Sequence, residues 1–119
     1  MIEYKLGNIE SQFADLVWDK EPLSTGELIK LCEEKLAWKR TTTYTVLKKL
    51  CEKGFFQMEN SMVTARVSRE EYKADQSEKF VEDTFAGSLP AFLTAFVGRK
   101  KLSEKEMEEL QRVIEQMRR

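Results

Sequence analysis

The sequence predicts a mainly α chain with a small β-hairpin: three helices, the hairpin, then three more helices. Three observations predict it. Apolar residues recur at helical spacing in six segments. Serine-led capping boxes and glycine stops punctuate those segments. Only residues 55–67 are instead rich in aromatic and β-branched residues, which marks strands.

Asn8 is placed to cap the first helix, whose apolar Ile9, Phe13, Leu16 and Val17 share one face; that helix is expected to end near Asp19, before Pro22. Ser24 and Glu27 form a capping box that opens the second helix, with Leu28, Ile29, Cys32 and Leu36 turned inward. A third helix runs from Arg40 to Lys53, with Thr43, Val46, Leu47 and Leu50 on one face and Thr41, Tyr44, Thr45 and Lys48 opposite, and Gly54 stops it. Phe55–Met58 and Met62–Val67 read as two strands around Glu59, Asn60 and Ser61, although the turn lacks an Asn-Gly or Asp-Gly pair.

Ser68 and Glu71 form a second capping box and open a long helix that becomes amphipathic through Phe80, Val81, Thr84 and Phe85 and ends at Gly87. Ser88 and Pro90 start a fifth helix with the apolar stripe Leu89, Phe92, Leu93, Phe96 and Val97, closed by Gly98. Ser103 and Glu106 cap the last helix, where Met107, Leu110, Ile114 and Met117 repeat as a short seam. These elements divide the chain into residues 1–68 and residues 69–119.

Composition narrows the function. With 119 residues and 41% hydrophobic content the chain can build a modest core, and oligomerisation would help it. A net charge of −1 argues against a general nucleic-acid coat, because non-specific binding scales with the positive charge brought to phosphate. It does not argue against one basic face. No apolar run approaches the roughly 18 residues that span a bilayer, and MIEYKLGNIE has no signal-peptide apolar region, so no membrane partner and a cytoplasmic location are expected. Cys32 and Cys51 lack CxxC spacing and are read as reduced core residues. There is no histidine, no Gly-rich phosphate loop and no metal-ligand cluster, so neither a catalytic residue, nor a metal, nor a cofactor is expected.

The basic charge is concentrated. Lys39, Arg40, Lys48, Lys49 and Lys53 stand against Glu52 alone in the third helix and its flanks. Three helices followed by a hairpin is the winged helix-turn-helix arrangement, in which the second helix of the pair enters the major groove and basic and hydroxyl side chains anchor phosphates. The residues expected to meet double-stranded DNA are Lys39, Arg40, Thr41, Thr42, Tyr44, Thr45, Lys48 and Lys49, with Arg66 from the hairpin. The plainer alternative is an ordinary solvated helix flanked by threonines. A rival function is a helical protein–protein interaction module that never meets DNA.

Four stretches carry a family resemblance: IESQFADLVW (9–18), TTYTVLKKLCEKG (42–54), FAGSL (85–89) and LSEKEMEELQRVI (102–114). Through them the chain resembles the penicillinase-repressor (BlaI/MecI/CopY) family of bacterial winged-helix regulators over nearly its whole length. The resemblance implies a repressor that binds an inverted-repeat DNA operator as a homodimer through its C-terminal helices. Leu89, Phe92, Leu93, Phe96, Met107, Leu110, Ile114 and Met117 are the matching apolar residues, too many for three short helices to bury alone; the alternative is one monomeric core. Family members commonly repress β-lactam resistance, and some are released when an antirepressor protease cuts the dimerisation region. The matching bond joins Ala95 to Phe96, where members that are cut typically have asparagine in place of Ala95. The plain alternative makes both residues part of an apolar stripe. The paired cysteine motifs of the copper-responsive branch have no match after Cys51. Tyr44 stands where the penicillinase repressors are basic, and the hairpin tip has no positive charge, so a different operator and weaker wing contacts are expected.

Overall fold

A computed structural model describes residues 2–119. The order is α1 (Asn8–Lys20), β1 (Leu23–Ser24), α2 (Thr25–Leu36), α3 (Arg40–Glu52), β2 (Phe56–Glu59), β3 (Met62–Ala65), α4 (Arg69–Phe85), α5 (Leu89–Arg99) and α6 (Glu104–Met117). It is a winged-helix domain followed by helices. Two compact units divide between Ser77 and Glu78, within α4.

The three serine capping boxes all form. Ser24 Oγ accepts from the Glu27 amide at 3.1 Å while the Glu27 carboxylate accepts from the Ser24 amide at 3.1 Å. Ser68 with Glu71 and Ser103 with Glu106 repeat the exchange at 3.0–3.2 Å. The first helix departs from expectation: Gly7, not Asn8, holds the cap position. Glu10 decides this register, because its carboxylate accepts from the Gly7 amide at 2.9 Å and so places Gly7 three residues before it.

The sheet has a third strand that the sequence reading missed. β1 pairs antiparallel with β3, Leu23 opposite Val63 and Ser24 opposite Met62, giving the order β1-β3-β2. Two residues are too few for an alternation signal, and Ser24 doubles as the α2 cap. The first hairpin strand is shifted by one residue from the expected Phe55–Met58, and the second ends at Ala65, two residues earlier than expected. Phe55 stays outside β2, and its carbonyl instead accepts from the amides of Arg66 and Val67 at 2.8 and 3.3 Å. Asn60 and Ser61 both have left-handed backbones, at φ 52° and 60°, so they form a two-residue turn of the primed class without glycine.

In the first unit, Phe13 and Val17 of α1, Leu28 and Cys32 of α2, and Leu47 and Leu50 of α3 are buried with Leu23, Phe55, Phe56 and Val63. Phe13 stacks on Trp38 at 5.6 Å and meets Phe56 edge-on at 6.2 Å. Ile29, expected inside, is only half-buried, and Leu31 on the opposite margin of α2 packs against the core instead. The first turns of α4 belong to this unit for specific reasons. The Tyr72 ring meets Phe55 at 5.4 Å and Trp18 at 6.0 Å, and its hydroxyl accepts from the Leu6 amide at 2.8 Å. Arg69 bridges Asp15 and Asp19 at 3.1 and 2.7 Å. The first compact unit therefore takes in α4 as far as Ser77.

The second unit comprises the end of α4, α5 and α6. Phe80, Phe85, Phe92 and Phe96 form a ring cluster with centroids 5.6–6.0 Å apart. α4 ends at Ala86 and Gly87, both left-handed, with the Gly87 amide donating to the Val81 carbonyl at 3.0 Å. α5 runs through Gly98 to Arg99, because the Lys100 amide still reaches the Phe96 carbonyl at 3.0 Å. Among the described residues of this unit, none is buried. No helix of the described residues is long and apolar enough to cross a membrane.

Candidate nucleic-acid interface

The inner face of α3 is fixed by Thr43, Leu47 and Leu50, all buried, with Val46 half-buried behind them. With about 100° per residue, that leaves Thr41, Thr45 and Lys48 pointing outward. All three are exposed, as are Lys39, Arg40 and Thr42 around the N-terminal end. Tyr44 is half-buried and lies under the Arg40 guanidinium at 5.7 Å, which holds both groups on one flank of the face. Glu52 is also exposed in line with Lys48 and places one negative charge at the far end of the face.

The hydroxyl groups differ in what they can offer. Thr45 Oγ1 donates to the Thr41 carbonyl at 2.9 Å, so its proton is committed while its lone pairs and methyl group remain available. It suits a base donor or a thymine methyl better than a phosphate. Thr43 donates to the Lys39 carbonyl at 3.3 Å and faces the core. The hydroxyls of Thr41 and Thr42 have no partner among the described residues and are free to donate.

The sequence reading missed the backbone part of this surface. Lys39 at the cap of α3 makes no side-chain capping bond, and the first turn holds no acidic residue. The amides of Arg40, Thr41 and Thr42 thus point outward at the positive end of the helix dipole, next to two cations, an arrangement that favours an anion. The signal was present as the lack of any Ser, Asp or Asn at position 39.

Lys49 and Arg66 sit apart from this group. Lys49 Nζ is 3.1 Å from Glu10 Oε2 and 5.3 Å from the centre of the Tyr4 ring, and hydrogen bonds to Tyr4 and then Glu10 push its ammonium above the ordinary range. Burial alone would push the Glu10 carboxyl up, but hydrogen bonds from the Gly7 amide, Tyr4 and Lys49 outweigh it and hold the group below its usual value. Arg66 is exposed at the base of the hairpin, just beyond β3. The tip carries Glu59, whose carboxylate accepts from Gln57 at 3.0 Å, and the strands expose Met58 and Met62. Cys32 and Cys51 are free, and burial pushes both thiols up.

In the second unit, Leu89, Phe96, Met107, Ile114 and Met117 are exposed, and Phe92, Leu93 and Leu110 are half-buried. Phe92, Leu93, Phe96, Leu110 and two residues the sequence reading did not select, Leu102 and Val113, line an apolar groove rimmed by Glu106 and Glu109. Val113 lies one residue before Ile114 on the same stripe and could have been found from that spacing. Ala95 and Phe96 are both exposed within α5.

Comparison with known proteins places this geometry in a family. The penicillinase repressor family matches residues 6–116. The methicillin resistance regulatory protein MecI of Staphylococcus aureus (strain Mu50 / ATCC 700699) is 24% identical over 115 residues, covering 93% of this chain and 94% of that protein. The protein of the same name from Mammaliicoccus sciuri is 23% identical over the same shares. The penicillinase repressor of Bacillus licheniformis is 22% identical over 94% of this chain and 91% of its own length. With the match running through both compact units, the chain belongs to the penicillinase repressor family of transcriptional regulators.

Proposed function

We propose that the protein is a homodimeric repressor that binds an inverted-repeat operator through α3. The observation that carries this reading is the outward face at the α3 N-terminus, where Arg40, Thr41 and Thr42 surround uncapped amides and Thr45 and Lys48 continue the surface. Lys39, Arg40 and Lys48 hold phosphates, with the free amides as a further anchor. Thr41, Thr42, Tyr44 and Thr45 face base edges, and Arg66 adds one phosphate contact from the base of the wing. Tyr44 supplies no cation, and the acidic wing tip adds none, so sequence reading depends on hydroxyl and methyl contacts.

The second unit holds two copies together through α5 and α6, using Leu89, Phe92, Leu93, Phe96, Met107, Leu110, Val113, Ile114 and Met117. Support comes from the absence of any buried residue in that unit among the described residues, since a single copy leaves its apolar stripes in water. A protease cutting between Ala95 and Phe96 must first unwind α5, because the bond lies within that helix. Release by an antirepressor protease is therefore coupled to opening of the dimer region.

Fluorescence anisotropy on the DNA upstream of the protein's own gene, at two salt concentrations and against scrambled competitor, tests the reading. Competitor-resistant binding that weakens steeply with salt is expected. A folded dimer that binds no better than to scrambled DNA would overturn it in favour of the protein-interaction module, which the acidic wing tip fits.

A further inference from the structure

One network in the first unit is built more elaborately than a surface ion pair. The Glu10 carboxylate, its side chain only 16% exposed, accepts from the Gly7 amide at 2.9 Å, from the Tyr4 hydroxyl at 2.8 and 2.9 Å, and pairs with Lys49 at 3.1 Å. The Tyr4 ring in turn lies under two ammonium groups of α3 and its cap, Lys49 at 5.3 Å and Lys53 at 5.1 Å, and meets Phe55 edge-on at 6.3 Å. The N-terminal segment, the start of α1 and the last turns of α3 are thereby joined at one carboxylate. The apolar stripe of Thr43, Leu47 and Leu50 holds α3 against the core along a single line. A tie at its flank opposes rolling about that line.

The roll matters for recognition. At a side-chain radius of roughly 5–6 Å, a 20° roll moves the tips of Thr41 and Thr45 by roughly 2 Å. Recognition contacts tolerate about 0.5 Å and 10–20°. We propose that Tyr4, Glu10 and Lys49 are positioning residues that fix the roll of α3 for operator reading, and that Lys49 is not itself a phosphate contact. This rests on the DNA-binding reading given above.

Operator and scrambled DNA binding, each measured across a salt series, tests the clamp. The variants are Tyr4→Phe, Glu10→Gln, Lys49→Met and Lys49→Arg, with Lys48→Ala as the phosphate-contact control. Tyr4→Phe keeps the ring and Glu10→Gln keeps an acceptor for the Gly7 amide, so folding is retained and is checked by thermal melting. The expected result is that Tyr4→Phe, Glu10→Gln and Lys49→Met each weaken operator binding about tenfold, with the salt slope and scrambled-DNA affinity of the wild type, because phosphate binding does not depend on the roll. Lys49→Arg restores operator binding by bridging to Glu10. Lys48→Ala lowers the salt slope by about 1 on both DNAs. A slope loss for Lys49→Met like that of Lys48→Ala, or unchanged operator affinity in all three variants, would overturn the clamp alone. A wild type without operator preference would overturn the DNA-binding reading and the clamp with it.

Discussion

Ser61 occupies a left-handed site at φ 60°, next to Asn60 at φ 52°, in the two-residue turn between β2 and β3. Asparagine tolerates that region through local hydrogen bonding, but a serine Cβ strains against the carbonyl that follows, at a cost of about 1–2 kcal/mol. Ser61→Gly creates the Asn-Gly pair that this turn class favours and should raise stability by up to about 1 kcal/mol, read as a higher urea midpoint with unchanged slope. Glu10 gives a second prediction at this scale. Its carboxyl is held below the ordinary value of 4.5, first against the opposing effect of burial and then by Gly7, Tyr4 and Lys49. A depressed carboxyl stabilises the fold above its unfolded value and loses that contribution as pH falls through the folded one. The stability difference between wild type and Glu10→Gln should therefore be full above about pH 4.5 and shrink below it. A difference that stays constant down to pH 2 in urea titrations would contradict the arrangement.

At the scale of elements, α3 sets recognition against its own stability. An N-cap acid would satisfy the free amides and complement the dipole, and such caps are worth about 0.5–2 kcal/mol over a residue without a capping side chain. Lys39→Asp should raise the melting temperature yet weaken operator binding at least about tenfold, because it removes one cation and sets a carboxylate where a phosphate would lie. Simultaneous gain in both would show that the amides play no part in binding. This element also shows how sequence legibility works. The Gly54 stop and the Thr43, Leu47, Leu50 stripe were readable, because each rests on bonds and packing within a few residues. The partner of Lys49 was not, since Glu10 lies 39 residues earlier in sequence and only the tertiary fold, in which α1 and α3 each pack on α2, brings the two together. β1 failed for a related reason: its two residues become a strand only through β3, and nothing local distinguishes them from a loop. Gly7 took the α1 cap because the register followed the Glu10 carboxylate rather than the residue type best suited to capping.

For the whole molecule the deciding quantity is apolar surface without cover. Every buried hydrophobic side chain lies at or before Val63, while Leu89, Phe96, Val97, Met107, Val113, Ile114 and Met117 of the second unit are all exposed in a single copy. Leaving such side chains in water forgoes about 25 cal/mol for each Å² that association would cover. Ile114 separates the possibilities sharply. It is 43% exposed and sits on the α6 stripe beside Val113, so in a monomer Ile114→Asp is a surface substitution worth within about 0.5 kcal/mol. In a homodimer the same carboxylate is buried twice, once from each copy, against an apolar partner face, because a two-fold interface repeats every residue. Sedimentation should show the wild type as a dimer and Ile114→Asp as a monomer. Its first unit should stay folded, since Leu47, Leu50, Phe55 and Phe56 pack within the core of that unit. Operator binding should fall much further than single-site affinity for one half of an inverted repeat, since the monomer loses the effective concentration that linking two reading heads supplies. A wild type that sediments as a monomer, or a variant that keeps full operator affinity, would remove dimerisation from the account.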